Sequence, residues 1–465
     1  MTLPAAPRQR RREAALLLGV TLLAYANSFA GVFQFDDFWA IVDEPSVQSF
    51  SAWWQSMPGL RPLLKLTYAI NQQSGYGLAG FHAVNLAVHA TCVLLAWTLL
   101  RGWLPEAGLE RARADSAALV AALVFALHPV QTEAVTYLSG RSMSLMALFS
   151  LGFLALGMRS RDGRDRWMAG ALACLLAALA TRETAWAAVP ALALLAAARG
   201  ERGNDLLRRL ALPVALLAAA ALVILSLPAY RRLALSTLGR LDPGALFATQ
   251  VQAFGYLLTQ PLLLLEVNID PDLSPRVTPD AATWLGFAAL AVPVALAAWQ
   301  WRRRPWLSAA LLWPYLLLAP GYTLFARADV ANDRHLYLAL LGPALLTGLA
   351  LAALPRRPRG IAAAALCLVL GLVTVGRNTD YHSERAFWTA TVAASPGKPR
   401  PWNNLGHALM LEGDLDGAER ALRRALALEP RYLRARYNLA LVQARQRERA
   451  VSRDDAEAGA GSAGR

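Results

Sequence analysis

Two adjacent carboxylates stand among aromatics in the stretch Phe33-Gln34-Phe35-Asp36-Asp37-Phe38-Trp39, just where the chain leaves its first apolar run. Ionised groups are costly to hold at that depth, and the cost suggests a use. The chemistry that fits is general base catalysis by Asp36 or Asp37. The plainer alternative is that an acidic pair at a helix end only marks the membrane boundary. Three further polar clusters bear on the choice. His128-Pro129 leads through Glu133 to Gly140-Arg141, Thr181-Arg182-Glu183 joins two short apolar runs, and Arg334-His335 precedes another. A proline, a histidine, an acid and an arginine gathered at one boundary are hard to explain as lipid-facing residues.

The elements that must position these groups are apolar helices. The chain has 465 residues, 56% of them hydrophobic, with 14 Trp, which excludes an ordinary soluble enzyme and predicts an all-α, polytopic membrane helix bundle. Its net charge of +14 lies in short arginine clusters between apolar runs. That is a topology signal and gives no nucleic-acid face. Cys92, Cys174 and Cys367 fall inside apolar segments at spacings that suit neither a metal nor a disulfide framework.

The basic N-terminus fixes that end in the cytoplasm. Ser28-Phe29-Ala30 resembles a signal-peptide cleavage site, but the apolar run before Phe33 has a length that suits an uncleaved anchor. The loop 34–83, with Arg61, then faces outward. The pattern predicts about eleven spans, the later ones near 84–104, 117–130, 142–158, 167–180, 184–198, 210–228, 283–300, 306–320, 336–354 and 361–376. The segment 245–265 carries Gln250, Gln252 and Gln260 and reads as interfacial or re-entrant, because a full span there would put later arginine clusters outside. With that topology every candidate polar loop faces the same, external side.

The predicted domains are a transmembrane domain over 1–376, a repeat region over 377–449 and a disordered tail over 450–465. Trp402, Leu405, Gly406, Leu409, Ala418, Leu422 and Pro430 fit the spacing of one tetratricopeptide repeat. Pro396 stands 34 residues before Pro430, as the second half of a preceding repeat would place it.

Taken together, the motifs resemble the transmembrane and tetratricopeptide-repeat (TMTC-type) O-mannosyltransferase family of the GT-C glycosyltransferases. The resemblance is carried by Phe35-Asp36-Asp37, by Phe81-His82-Ala83-Val84-Asn85-Leu86 with His89, and by His128-Pro129 to Glu133-Ala134-Val135. Gly140-Arg141, Arg182-Glu183-Thr184, Arg334-His335-Leu336-Tyr337-Leu338 and the terminal repeats complete it. Arg182 and His335 depart from the lysine and the aromatic that the family pattern leads one to expect. The resemblance implies a polyprenyl-phosphate-linked sugar as donor, mannose-like, and an external acceptor. That acceptor is expected to be a Ser/Thr hydroxyl of a protein or peptide held at the repeat region. Transfer to a lipid or envelope glycan, or a non-catalytic membrane-anchored scaffold, are the alternatives. It places the chain in a bacterial inner (cell) membrane, in contact with lipid and not nucleic acid, with the repeat tail periplasmic or extracellular.

Inverting transfer to a hydroxyl needs a base beside the acceptor and a cationic seat for the departing phosphate. Asp36 is preferred narrowly over Asp37 as the base, and Glu133 would orient the acceptor or neutralise a neighbouring cation. Arg141, Arg182, Arg334 and His335 would bind the donor phosphate, unless the arginines anchor lipid headgroups instead. His82 and Asn85 share one helical face with His89, and with Arg61 and His128 would line the cavity. The alternative is that they are satisfied polar residues of the bundle interior. No spacing of histidines and carboxylates calls for a metal, and no cofactor is expected.

Overall fold

The structure is a computed structural model that describes residues 7–57, 59–161, 163–228, 230–232, 242–264, 267–323 and 329–462. Among the described residues it is helical with no strand. The chain divides into two compact units, one formed by residues 1–267 with 273–379, the other by 268–272 with 380–465.

In the first unit the main helices are α1 (Pro7–Ala24), α2 (Pro62–Ser74), α3 (Gly77–Glu106), α4 (Arg111–Leu127), α5 (Arg141–Arg159), α6 (Arg166–Thr181) and α7 (Ala188–Ala198). They are followed by α8 (Gly203–Ser226), α9 (Pro243–Thr259), α10 (Ala281–Gln300), α11 (Pro305–Tyr322), α12 (Leu341–Ala352) and α13 (Arg356–Thr379). Six helical segments are long and apolar enough to cross a membrane, or up to eight if two bent pairs each count as one. The chain is thus a multi-pass membrane protein with fewer candidate spans than the eleven expected. The shortfall has identifiable causes. Helix α6 and the segment Glu183–Ala198 are too short to qualify, and α11, although 18 residues long, is not among the candidates. The segment read as interfacial is the 17-residue helix α9 with a 3-10 turn at Gln260–Leu262; its last residue, Leu265, lies outside the described residues.

The bent pairs matter most for the site. Helix α4 stops at Leu127 because Pro129 forces the preceding His128 into an extended conformation, φ −71° and ψ 130°. The chain resumes as short helical turns over Pro129–Val135, at 53° to α4. A second pair, Asp333–Ala339 with α12, bends by the same 53°. Broken helices expose carbonyls that hydrocarbon cannot satisfy, so side chains must do so. His89 Nε2 lies 3.1 Å from the Ala126 carbonyl, and Thr374 Oγ1 donates to the Leu127 carbonyl at 2.6 Å. Asn85 Nδ2 donates to the Val135 carbonyl at 3.1 Å, Gln131 Nε2 to that of Phe125 at 3.1 Å, and Trp313 Nε1 to that of Leu338 at 2.9 Å. Helices α4 and α12 approach so closely that a Cβ on Gly348 would stand 2.3 Å from the Ala117 carbonyl oxygen. Small residues at such crossings let backbones pack directly.

The second unit contains α14 (Glu384–Ala394), α15 (Pro399–Glu412), α16 (Leu415–Leu428) and α17 (Leu433–Ser462). Gly413, at φ +85°, ends α15, and Asp414 caps α16 by accepting from the Gly417 amide at 2.9 Å. A two-residue connection of this kind makes α15 and α16 a helical hairpin. Their close approach is at Gly406, where a Cβ would stand 2.6 Å from Leu422 Cγ. Buried Asp270 receives Lys398 Nζ at 2.5 Å and Arg400 Nε at 2.6 Å, which ties residues 268–272 into this unit. Helix α17 continues to Ser462, through the segment whose composition suggests disorder.

Candidate active site

The loop after α1 separates the two aspartates by environment. Asp37 is 0% exposed, and both its oxygens are taken by backbone amides. Oδ1 accepts from Ser139 at 2.6 Å and Oδ2 from Gln34 at 3.0 Å. It therefore fastens the loop to the turn at Leu138–Gly140 and offers nothing to a substrate. Asp36 differs, since its side chain is 36% exposed and Oδ2 accepts from Arg334 Nη1 at 3.1 Å. Its own amide donates to the Tyr137 hydroxyl at 2.8 Å. Phe35, immediately before it, holds φ +38°, and Arg61 holds φ +51°. These are the only two non-glycine residues with positive φ among the described residues, and strain of this sort is concentrated at functional sites.

From Asp36 a continuous series of polar contacts runs through two pairs of sequence neighbours. Asp36 meets Arg334, whose neighbour His335 faces Arg182 Nη2 through Nε2 at 3.3 Å. Arg182 also donates to Ser142 Oγ at 3.1 Å. Its neighbour Glu183 takes a bidentate grip from Arg61, with Nη2 to Oε1 at 2.6 Å and Nε to Oε2 at 3.1 Å. The Tyr322 hydroxyl bonds His335 Nδ1, and the Tyr230 hydroxyl accepts from the Arg61 amide at 3.1 Å. Beside His335 and Tyr322 opens a narrow crevice whose walls include Met143, Met146, Leu317 and Leu318.

Five residues singled out from sequence, Asp36, Arg61, Arg182, Arg334 and His335, are thus brought together. The others are placed elsewhere. Arg141 is 0% exposed, and its guanidinium is spent on neutral acceptors. Nε donates to Asn85 Oδ1 at 2.6 Å, Nη2 to the Phe81 carbonyl at 3.0 Å and Nη1 to Thr67, with the Tyr68 ring 4.8 Å away. That arrangement leaves no surface for a phosphate. Glu133 is likewise 0% exposed and accepts from Arg377 Nη2 at 3.2 Å, so it cannot touch an acceptor. His82 lies against the Gly31 carbonyl at 3.2 Å, and Asn85 closes the broken backbone around Leu138. His128 accepts from the Val130 amide at Nδ1 and meets the Pro261 carbonyl at Nε2. These three satisfy interior backbone. Tyr137 and Glu183 are site residues that the sequence reading left without a role. Tyr137's place inside the His128–Arg141 stretch and Glu183's place beside Arg182 were the only signals for them.

Among the described residues no group of histidines, cysteines and carboxylates is arranged to hold a metal ion.

Burial pushes the Asp37 carboxyl up to about 7, against the two amide donors that favour its ionised form. A carboxyl whose folded pKa exceeds its unfolded value, 3.8, holds its proton more tightly in the folded chain. Its contribution to stability is then fully present below the unfolded pKa and is lost as pH rises through about 7. The apparent unfolding temperature of the parent chain should therefore fall relative to that of Asp37→Asn as pH is raised across this window. A pH-independent difference between the two would contradict the assignment.

The chain is similar to several curated proteins. Mouse "Protein O-mannosyl-transferase TMTC4" is 37% identical over 161 residues, which is 30% of this chain and 22% of that protein. Human "Protein O-mannosyl-transferase TMTC1" is 36% identical over 161 residues, 30% of this chain and 17% of the relative. Human "Protein O-mannosyl-transferase TMTC3" is 25% identical over 492 residues, covering 92% of this chain and 52% of the relative. The family resemblance read from the motifs therefore holds, and the chain spans at most about half the length of these relatives. No protein-family model matches it, and no solved structure matches it.

Proposed function

We propose that this relative of the TMTC-type protein O-mannosyltransferases is a membrane glycosyltransferase. It moves a mannose-like sugar from a polyprenyl-phosphate donor to a Ser/Thr hydroxyl of an external protein. The observation that carries this reading is the series Asp36–Arg334, His335–Arg182, Glu183–Arg61, which puts a partly exposed carboxylate beside clustered guanidiniums. Asp36 acts as the base. Arg334 holds Oδ2, and the other oxygen takes the acceptor hydroxyl proton as the acceptor oxygen forms its bond to the sugar C1. The bond from C1 to the phosphate oxygen breaks, and the electron pair leaves on the lipid phosphate. Arg182, with His335, is the seat for that anion, because a guanidinium matches phosphate oxygens in a fork. The crevice beside His335 and Tyr322, walled by methionine and leucine, suits the first isoprene units of the donor. The hairpin α15–α16 and helix α17 are read as a short tetratricopeptide array that holds the acceptor segment. Buried Asn403 accepts from Asn438 Nδ2 at 3.0 Å and so is part of the array's packing.

Arg182→Ala should raise the KM for the lipid donor roughly 10- to 100-fold, the worth of one charge-assisted hydrogen bond, with a smaller effect on kcat. Steady-state kinetics at varied donor concentration checks this, and an unchanged KM would remove Arg182 from the phosphate seat. The function itself is tested by mapping O-linked hexose on external proteins of cells that lack this chain. Sites should disappear and return on complementation with the parent sequence. Unchanged protein sites with a missing lipid or envelope glycan would transfer the reading to that acceptor.

A further inference from the structure

Helices α1, α4 and α13 are joined at the ends nearest the site, where Thr374 Oγ1 donates to the Leu127 carbonyl and Asn378 Nδ2 to that of Ala24 at 2.9 Å. Their other ends lie about 25 Å away, the length of a 17-residue helix such as α4. There they line a second, larger and open crevice, of about 850 Å³. Its acids are mostly spent, because Glu13 accepts from Arg101 at 3.2 Å and Asp115 accepts from Arg101 at 2.9 Å and from Arg111 at 3.1 Å. Three other arginines in its wall, exposed Arg113 and Arg356 and half-buried Arg359, have no side-chain partner among the described residues. Against them stands a single exposed acid, Glu110. Leu119 and half-exposed Leu354 complete the wall with apolar surface at the mouth of the spans.

We propose that this crevice seats the headgroup of an anionic phospholipid. Unpartnered guanidiniums converging on a water-accessible hollow attract a phosphate diester, and their fork geometry matches its oxygens. Basic hollows between membrane helices are suited to such headgroups. Helices that cross a bilayer place this hollow at headgroup depth, and Leu119 and Leu354 give the glycerol and first methylenes an apolar wall, which a free phosphate would not use. The assignment does not depend on glycosyl transfer.

The test uses the purified full chain in neutral detergent, titrated with phosphatidylglycerol or phosphatidylcholine and read by native mass spectrometry. The combined variant Arg113→Ala, Arg356→Ala, Arg359→Ala should bind phosphatidylglycerol about a hundredfold more weakly than the parent, from about a factor of five per arginine near the lipid surface. Phosphatidylcholine binding should be unchanged, and the matching variant with lysines, which keeps the charges and loses the fork, should bind between the parent and the alanine variant. None of these side chains is buried, so circular dichroism should show an intact helical fold. The control replaces the exposed Arg302, Arg303 and Arg304 with alanine. The proposal is overturned if the crevice variant retains parent affinity, or if the control loses as much. It is also overturned if glycerol 3-phosphate alone binds as tightly as the lipid, which would make the hollow a site for soluble phosphate.

Discussion

Replacing Asp36 with asparagine is expected to lower turnover by about 10²- to 10⁴-fold, the range assigned to a positioned general base. Asparagine keeps the size and shape of the side chain and its place beside Arg334, but cannot accept the acceptor proton. Donor binding should change little, because the phosphate seat at Arg182 and His335 is made by other residues. Folding should change little as well. The Asp36–Arg334 pair is partly exposed at 36% and 17%, and pairs of that kind contribute about 1 kcal/mol or less. The contrast with Asp37 makes the prediction specific. Asp37 lies wholly inside and holds two amides, so its asparagine variant should show altered stability and pH response first and lose turnover only through the loop it fastens. Single-turnover kinetics on both variants, alongside unfolding curves, separates the two roles. Equal turnover loss with unchanged stability in both would refute the division of labour.

Gly140→Ala is expected to be the most damaging single-methyl change near the site. A Cβ there would stand 2.2 Å from the Glu133 carbonyl oxygen and 2.8 Å from Ala134 Cα, both of them backbone atoms that cannot rotate away. The turn at Leu138–Gly140 would have to move off the segment before it, at a cost of about 1–3 kcal/mol or more. That is a large share of the roughly 5–15 kcal/mol that holds a typical fold. The same displacement carries Ser139 away from Asp37 and Tyr137 away from the Asp36 amide, so turnover should fall together with stability. Gly371→Ala, on α13, is the control, since a Cβ there meets nothing within 4 Å and alanine favours helix. Extracted folded yield and apparent unfolding temperature measure the effect. A Gly140→Ala chain as stable and active as the control variant would show that the turn can relax without cost.

Much of the site could be read from residue type because ionisable groups at membrane ends are expensive. Asp36 and Arg334 are 298 positions apart, yet each stands out locally for that reason. The same rule points to Arg141 as a phosphate ligand and to Glu133 as a group that orients the acceptor or neutralises a cation; the structure packs both inside, Glu133 against Arg377. A buried arginine that binds the backbone of broken helices looks, in sequence, like one that waits for a phosphate. The difference lies in which carbonyls are left open, and those of Thr67 and Phe81 become visible only when α2 and α3 are packed against the turn before α5. His82, Asn85 and His89 are legible as one polar face of α3, while the work of Asn85 and His89 in closing the bends after Val135 and Leu127 depends on Pro129 having broken the next helix. The expected span count exceeds the six to eight candidate helices by α6, the segment Glu183–Ala198 and α11; the first two are apolar enough to be registered in sequence but are short as folded. Tyr137 and Glu183 carry no distinctive pattern of their own, since their roles come from a loop-to-turn contact and a bidentate grip across the fold.

The central claim, that Asp36 drives sugar transfer from a lipid phosphate to a protein hydroxyl, is tested most directly with the purified full chain in liposomes. The liposomes would carry polyprenyl-phosphate mannose labelled in the sugar, together with Ser/Thr-containing peptides drawn from external proteins. The account predicts alkali-labile label on peptide with the parent chain and at least a hundredfold slower labelling with Asp36→Asn. Label appearing on peptide as fast with Asp36→Asn as with the parent chain would contradict it.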